Sequence, residues 1–152
     1  DRSVSRGLGD VYKRQAYDRS LALRYDNAMV LNNYAYFLSL EGRDLERALA
    51  MAGRAIVLEE NNPTYLDTYA WVLYRLGRYD EAKKTMQQAL SLDRSQSPDL
   101  QLHYGDILAA LGEKFMAEVY WKKALEGGYD DPDAIVERFR RLKEAAQTPA
   151  AP

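Results

Sequence analysis

Residues 63–97 read PTYLDTYAWVLYRLGRYDEAKKTMQQALSLDRSQS, and two apolar stripes run through them. Leu66, Tyr69, Ala70 and Leu73 recur at three- and four-residue spacing, and so do Ala82, Met86, Ala89 and Leu90. That period puts each set on one face of an α-helix. Gly77 lies between them, where a helix C-terminus favours a residue free to take positive φ. So short a gap forces the two helices antiparallel, and the stretch reads as a helical hairpin.

The hairpin recurs on both sides. Laying 28–62 and 98–128 over 63–97 aligns Tyr34/Tyr69/Tyr104, Ala35/Ala70/Gly105, Leu38/Leu73/Leu108 and Gly42/Gly77/Gly112 at a constant step of 35 residues. Ala48/Ala82/Ala117 and Ala55/Ala89/Ala124 step by 34 and then 35, because GRDLERA carries one residue more than GRYDEA. A fixed period of this length marks an α-solenoid whose units bury their faces on one another. The predicted helices run over 28–41, 45–59, 64–76, 79–92, 99–111 and 114–126. Where Ala35, Ala70 or Gly105 meets Ala48, Ala82 or Ala117, small side chains let the paired axes approach the short end of the usual range, about 8 Å. Leu31, Tyr34, Leu38 and their counterparts are then expected to interlock with Met86 and Trp121, leaving Ala55, Ala89 and Ala124 against the next hairpin.

These residues resemble the tetratricopeptide repeat, whose signature is a Trp-x2-Leu-Gly-x2-Tyr…Ala-x3-Phe…Pro run of 34 residues. The middle unit matches as Leu66-x2-Tyr69-Ala70-x2-Leu73, Gly77, Ala82-x3-Met86 and Ala89. The third matches as Tyr104-Gly105-x2-Leu108, Gly112, Ala117-x3-Trp121 and Ala124. Glu60 and Arg94 replace the proline that usually ends a unit, although Pro63 and Pro98 can open the following helices. The resemblance covers about 16–128 and implies an all-α fold of antiparallel hairpins. The phrasing of the repeats is similar to the C-terminal repeats of larger bacterial, envelope-associated proteins, which leaves cytoplasm and periplasm equally open.

Composition narrows the function. The 152 residues are 47% apolar and 29% charged, the profile of a globular domain. A net charge of −2 supplies no positive field for nucleic acid. The absence of cysteine excludes disulfides and a thiol nucleophile, and a single histidine, His103, excludes a two-histidine zinc motif. No apolar run approaches the roughly 18 residues of a membrane span.

Residues 16–27 read as the remnant of an earlier second helix, with Tyr17, Leu21 and Leu23 falling where Trp121, Leu125 and Gly127 fall in the third unit. Residues 1–15 show no continuing helical period and read as a disordered or non-native leader, with Lys13 in the column of Ala48, Ala82 and Ala117. Over 129–146 a capping helix is predicted: Asp131-Pro132 opens it, and Ile135, Phe139, Leu142 and Ala146 form its stripe. Its other face, with Glu137, Arg138, Arg141 and Glu144, reads as solvated, and 147–152 as a disordered tail.

Carboxylate clusters at Glu59-Glu60 and Asp130-Asp131-Asp133 sit at helix junctions, where capping and the helix dipole account for them. No nucleophile motif, phosphate loop or metal-ligand spacing surrounds His103, so the reading is non-enzymatic and without cofactor. What remains is the concave face lined by the first helices. Its residues free of packing duty are Asn32, Asn33, Tyr36, Ser39 and Leu40, then Asp67, Thr68, Trp71, Tyr74 and Arg75, then His103 and Asp106. Asn amides can pair with the backbone of an extended peptide, and Tyr36, Trp71 and Tyr74 offer wide apolar area with few rotors to freeze. The expected function is therefore a scaffold that binds a protein or peptide segment, and the alternative is an assembly spacer that stacks on other repeats or on itself. The resemblance adds one negative. Co-chaperone members of the family grip a peptide's C-terminal carboxylate with Lys, Arg and Asn, whereas the matching positions here are Asn32, Tyr36, Thr68, Asp99 and His103.

Overall fold

The computed structural model describes residues 2–23 and 26–148. Eight helices follow in order among them: α1 (Arg2–Leu23), α2 (Ala28–Glu41), α3 (Leu45–Leu58), α4 (Pro63–Arg75), α5 (Tyr79–Leu92), α6 (Pro98–Ala110), α7 (Lys114–Glu126) and α8 (Pro132–Gln147). No strand occurs among the described residues. The pairs α2/α3, α4/α5 and α6/α7 are the three hairpins, and each first helix packs on the one a repeat later. Among the described residues no helix is long and apolar enough to cross a membrane.

Local chemistry sets the ends of these helices. The side chains of Asn27 and Asn62 accept hydrogen bonds from the open N–H groups of α2 and α4, and that of Asp131 does so for α8. Pro63, Pro98 and Pro132 each occupy a first turn, where a missing N–H costs nothing. At the hairpin turns Gly42 and Gly77 take φ of 70° and 79°. The next N–H then reaches back five residues, from Arg43 to Leu38 O and from Arg78 to Leu73 O, which closes the helix end. The extra residue of GRDLERA is absorbed by Asp44, which takes φ 51° and so keeps Ala48 in register.

The small residues lie where the repeat places them. Ala35, Ala70, Ala48, Ala82, Ala117, Ala55, Ala89 and Ala124 are all fully buried. Gly105 marks a tighter contact: a Cβ there would lie 2.4 Å from Trp121 Cδ1, so the third hairpin pairs glycine with tryptophan where the second pairs Ala70 with Met86. The repeat tyrosines are less uniform. Tyr34 and Tyr104 are buried, but Tyr69 is half-buried, because the facing position on α3 is Gly53 and no large side chain covers the ring.

Two expectations about the ends are corrected. Residues 2–15 are helical, since α1 runs unbroken from Arg2 to Leu23, and residue 1 lies outside the described residues. The physical reason lies in its partners: Lys13 Nζ sits 5.2 Å over the Phe37 ring, Arg14 Nη2 donates to Asp44 Oδ2 at 2.5 Å, and Tyr17 stacks on Tyr34 with centroids 5.0 Å apart. The charged face of the last helix is not wholly solvated either, because Arg138 turns inward to Asp106. The stripe of α8 packs as its spacing predicts at Ile135, which is fully buried, and at Phe139, edge-on to Trp121 at 5.6 Å; Ala146 stays exposed. Residues 149–152 of the expected tail lie outside the described residues.

Candidate binding groove

The first helices α2, α4 and α6 run side by side, and their unshared faces carry the predicted strip. The structure divides that strip in two. Asn32, Asn33, Tyr36, Asp67, Thr68 and His103 line a pocket of about 310 Å³, joined by Thr64, Ser97, Asp99 and Leu100. Tyr74 and Asp106 line a second pocket of about 550 Å³ toward α8, with Trp121 and Arg138 among its other walls. Of the remaining candidates, Trp71 stands at the junction, and Arg75 lies at the turn end, where its Nε donates to Ser39 O at 3.0 Å. A further cavity of about 530 Å³, between the second helices α5 and α7, contains none of the predicted strip.

The strip is more deeply buried than a free contact surface. Asn32, Ser39, Asp67, Thr68, His103 and Asp106 are all buried, while Asn33, Leu40 and Arg75 are exposed. His103 shows why. Its Nδ1 lies 2.7 Å from Asp67 Oδ1, and since a carboxylate can only accept, Nδ1 carries the proton and donates. Burial favours the neutral ring, but the charge of Asp67 and its hydrogen bond, with Asp106 and Asp99 behind them, outweigh burial and raise the His103 pKa. The ring also stacks on Trp71 at 4.2 Å, and Trp71 in turn stacks on Tyr74 at 4.6 Å. This column ties α4 to α6 and engages much of the indole's ring area, leaving its buried Nε1 without a partner.

Asp106 belongs to a second network. Trp121 Nε1 donates to its Oδ1 at 2.9 Å, and Arg138 bonds both oxygens, Nε to Oδ1 at 2.7 Å and Nη2 to Oδ2 at 2.9 Å. This forked, charge-assisted pair fastens α8 to the third hairpin. Asp106 is thus an anchor within the fold, with its lone pairs already engaged. Sequence reasoning missed Arg138 because α8 lies outside the repeat, so no column predicts where the guanidinium points. Asp99, outside the strip predicted from the sequence, lines the same pocket as Asn32 and His103.

The comparisons with known proteins agree with this fold. A family model described as tetratricopeptide repeat matches residues 63–95. The type III secretion translocator chaperone SycD of Yersinia enterocolitica, solved as an alternative dimer, superposes with a TM-score of 0.66 at 19% identity, over 81% of this chain and 96% of that one. The fold is a tetratricopeptide-repeat solenoid. The first tetratricopeptide-repeat domain of Spaghetti (RPAP3), solved with the HSP90 peptide SRMEEVD, superposes with a TM-score of 0.67 at 19% identity, over 80% of this chain and 94% of that one. In sequence, the TPR repeat-containing protein PA4667 of Pseudomonas aeruginosa is 30% identical over 86 residues, which is 57% of this chain. The matched region spans only 14% of that relative's length. Asn32, Tyr36, Thr68, Asp99 and His103 all line the 310 Å³ pocket.

Among the described residues no group of three or more His, Cys, Asp or Glu side chains is arranged to hold a metal ion.

Proposed function

We propose that the chain is a non-catalytic scaffold that binds an extended peptide or protein segment along the concave face of α2, α4 and α6. The observation that carries this reading is the convergence of six strip residues from three repeats on one open pocket. A further support is Asn32, 5% exposed, whose Oδ1 has no hydrogen-bond partner. Buried polar atoms are nearly always paired, so an acceptor left over on a groove wall suits a ligand's donor. The neighbours point the same way, since one was solved bound to a peptide and another is a secretion translocator chaperone.

A titration of the chain with pooled, extended decapeptides tests it, followed by the fluorescence of the tryptophans and by labelled-peptide anisotropy. Binding should fall in Tyr36→Ala and Asn33→Ala, two substitutions at half-buried and exposed sites outside the small-residue contacts of the repeat, with circular dichroism confirming that both variants fold. Binding that is indifferent to both variants, or no binding, counts against the groove.

An assembly role has its own support in α1, where Leu8, Val11 and Tyr12 are 54%, 49% and 67% exposed. Exposed apolar surface of this kind suits contact with another helix. Self-association that rises with concentration, disappears in Val11→Glu and proceeds without peptide binding would favour the spacer.

A further inference from the structure

We infer that the pocket between α2, α4 and α6 accepts a cationic side chain, the guanidinium of arginine or the ammonium of lysine, from the bound segment. The inference rests on the groove reading above and specifies the chemistry of its ligand.

Three buried donors of the pocket are already engaged. His103 Nδ1 donates to Asp67, Thr68 Oγ1 to Thr64 O at 3.3 Å, and Asn32 Nδ2 to Asn33 Oδ1 at 3.3 Å. The acceptors are not. Asn32 Oδ1 is buried and unpartnered on the pocket wall, and turning the amide about its soft terminal torsion aims it at a guest. Asp99, exposed in the first turn of α6, makes no ion pair among the described residues. No lysine or arginine lines the pocket. An ammonium or guanidinium has only donors to offer, so it suits the free acceptors of Asn32 and Asp99.

The charges agree. Asp67 is engaged by His103 Nδ1, whereas Asp99 has no ion-pair partner among the described residues. The Tyr36 hydroxyl senses the sum: burial raises its pKa first, and Asp67, Asp99, Tyr129 and Asp130 raise it further. The N-terminus of α6 contributes an opposing partial charge of roughly half a unit, too little to cancel the full charge of Asp99. Tyr36 also brings an aromatic wall, against which a guanidinium can stack. The cations of the groove sit elsewhere, Arg75 on Ser39 O and Arg138 on Asp106.

The test uses five decapeptide pools that differ only at one fixed central residue: arginine, lysine, citrulline, norleucine or glutamate. Each is titrated by anisotropy against the full chain and its Asp99→Asn variant, with circular dichroism confirming that the variant folds. The arginine and lysine pools should bind about tenfold more tightly than citrulline and norleucine, as a charge-assisted bond exceeds a neutral one. In Asp99→Asn that advantage should shrink several-fold, and in the parent chain it should weaken with added salt. Equal or tighter binding of the citrulline, norleucine or glutamate pool, with sensitivity to Tyr36→Ala retained, overturns the cation assignment and leaves the groove standing. A cation preference that Asp99→Asn does not change also overturns it, because the cation then sits elsewhere. No binding by any pool overturns the groove reading, and this inference with it.

Discussion

Replacing Gly105 by alanine is the sharpest test of the packing, because propensity and geometry predict opposite signs. Gly105 lies inside α6, where alanine normally stabilises a helix by about 1 kcal/mol over glycine. Here the added Cβ would lie 2.4 Å from Trp121 Cδ1, 2.6 Å from Trp121 Nε1 and 3.2 Å from Ala117 O. Carbon atoms rest at about 3.5–4.0 Å, so the indole must move by roughly an ångström. Trp121 is only 4% exposed and cannot yield into solvent. Moving it also strains the 2.9 Å bond from Nε1 to Asp106, the carboxylate that holds Arg138. Overpacking costs roughly 1–3 kcal/mol. Loss of a hydrogen bond to a charged group adds about 1.5–3 kcal/mol. After the propensity gain, Gly105→Ala should destabilise by roughly 2–5 kcal/mol, a melting shift of roughly 4–20 °C downward.

The second hairpin supplies the control, since it pairs Ala70 with Met86 at the equivalent places. In a Trp121→Met background the same Gly105→Ala change should become neutral or stabilising by up to about 1 kcal/mol. Guanidinium unfolding of the four chains, followed by far-ultraviolet circular dichroism, gives the coupling energy, expected at about 2 kcal/mol or more. A neutral or stabilising Gly105→Ala with Trp121 in place would refute the reasoning. So would an equal cost in both backgrounds.

Ala82→Leu inserts a branched side chain at a fully buried contact of the second hairpin and should cost roughly 1–3 kcal/mol, read as a lowered melting temperature. Arg138→Met keeps side-chain length but removes the fork on Asp106. Because the guanidinium is 28% exposed, the expected loss is about 1–3 kcal/mol, and limited proteolysis should cut the α7–α8 connection sooner than in the parent chain. The raised pKa of His103 fixes a sign for pH dependence. The stability it contributes is fully present below the unfolded value of about 6.5 and is lost as pH rises through the folded pKa. Melting curves across pH should therefore show the parent chain's advantage over His103→Gln shrinking as pH rises above neutral, and an advantage that grows would contradict the Asp67–His103 pairing.

How much of this was legible in the sequence depends on what the repeat encodes. The hairpins and their small-residue contacts follow from period alone, because Ala35, Ala70 and Gly105 recur in one column and are buried in one way. Even the odd residue of GRDLERA was visible, though not its remedy, a left-handed Asp44. The continuation of α1 was missed because its anchors are Lys13 and Arg14, whose ring and carboxylate contacts leave no apolar stripe to read. Within the groove, periodicity places the strip residues on the first helices but says nothing about which polar neighbours pair. Asp67 and His103 are 36 positions apart, and Asp106 and Arg138 are 32 apart. Only the packed chain shows that each pair closes.

The column of Tyr36, Trp71 and Asp106 shows how divergence at one repeat position gives the groove its polarity. Each follows the small contact residue of its first helix, so the backbone presents all three alike. Tyr36 leaves a half-buried ring on the 310 Å³ pocket, and Trp71 carries its ring into the stack with His103 and Tyr74. In the third repeat the neighbour is α8, and an aromatic residue would leave Arg138 without a counter-charge at that wall. Asp106 accepts the guanidinium and spends its lone pairs on it and on Trp121. The groove therefore has a closed end, where charges are mutually satisfied and support the fold. Its open end lies by the starts of α2, α4 and α6, where Asn32 and Asp99 retain unused acceptors. On the proposed groove reading, a guest that brings donors would gain most by placing them there, and the same divergence that locks the cap would orient it.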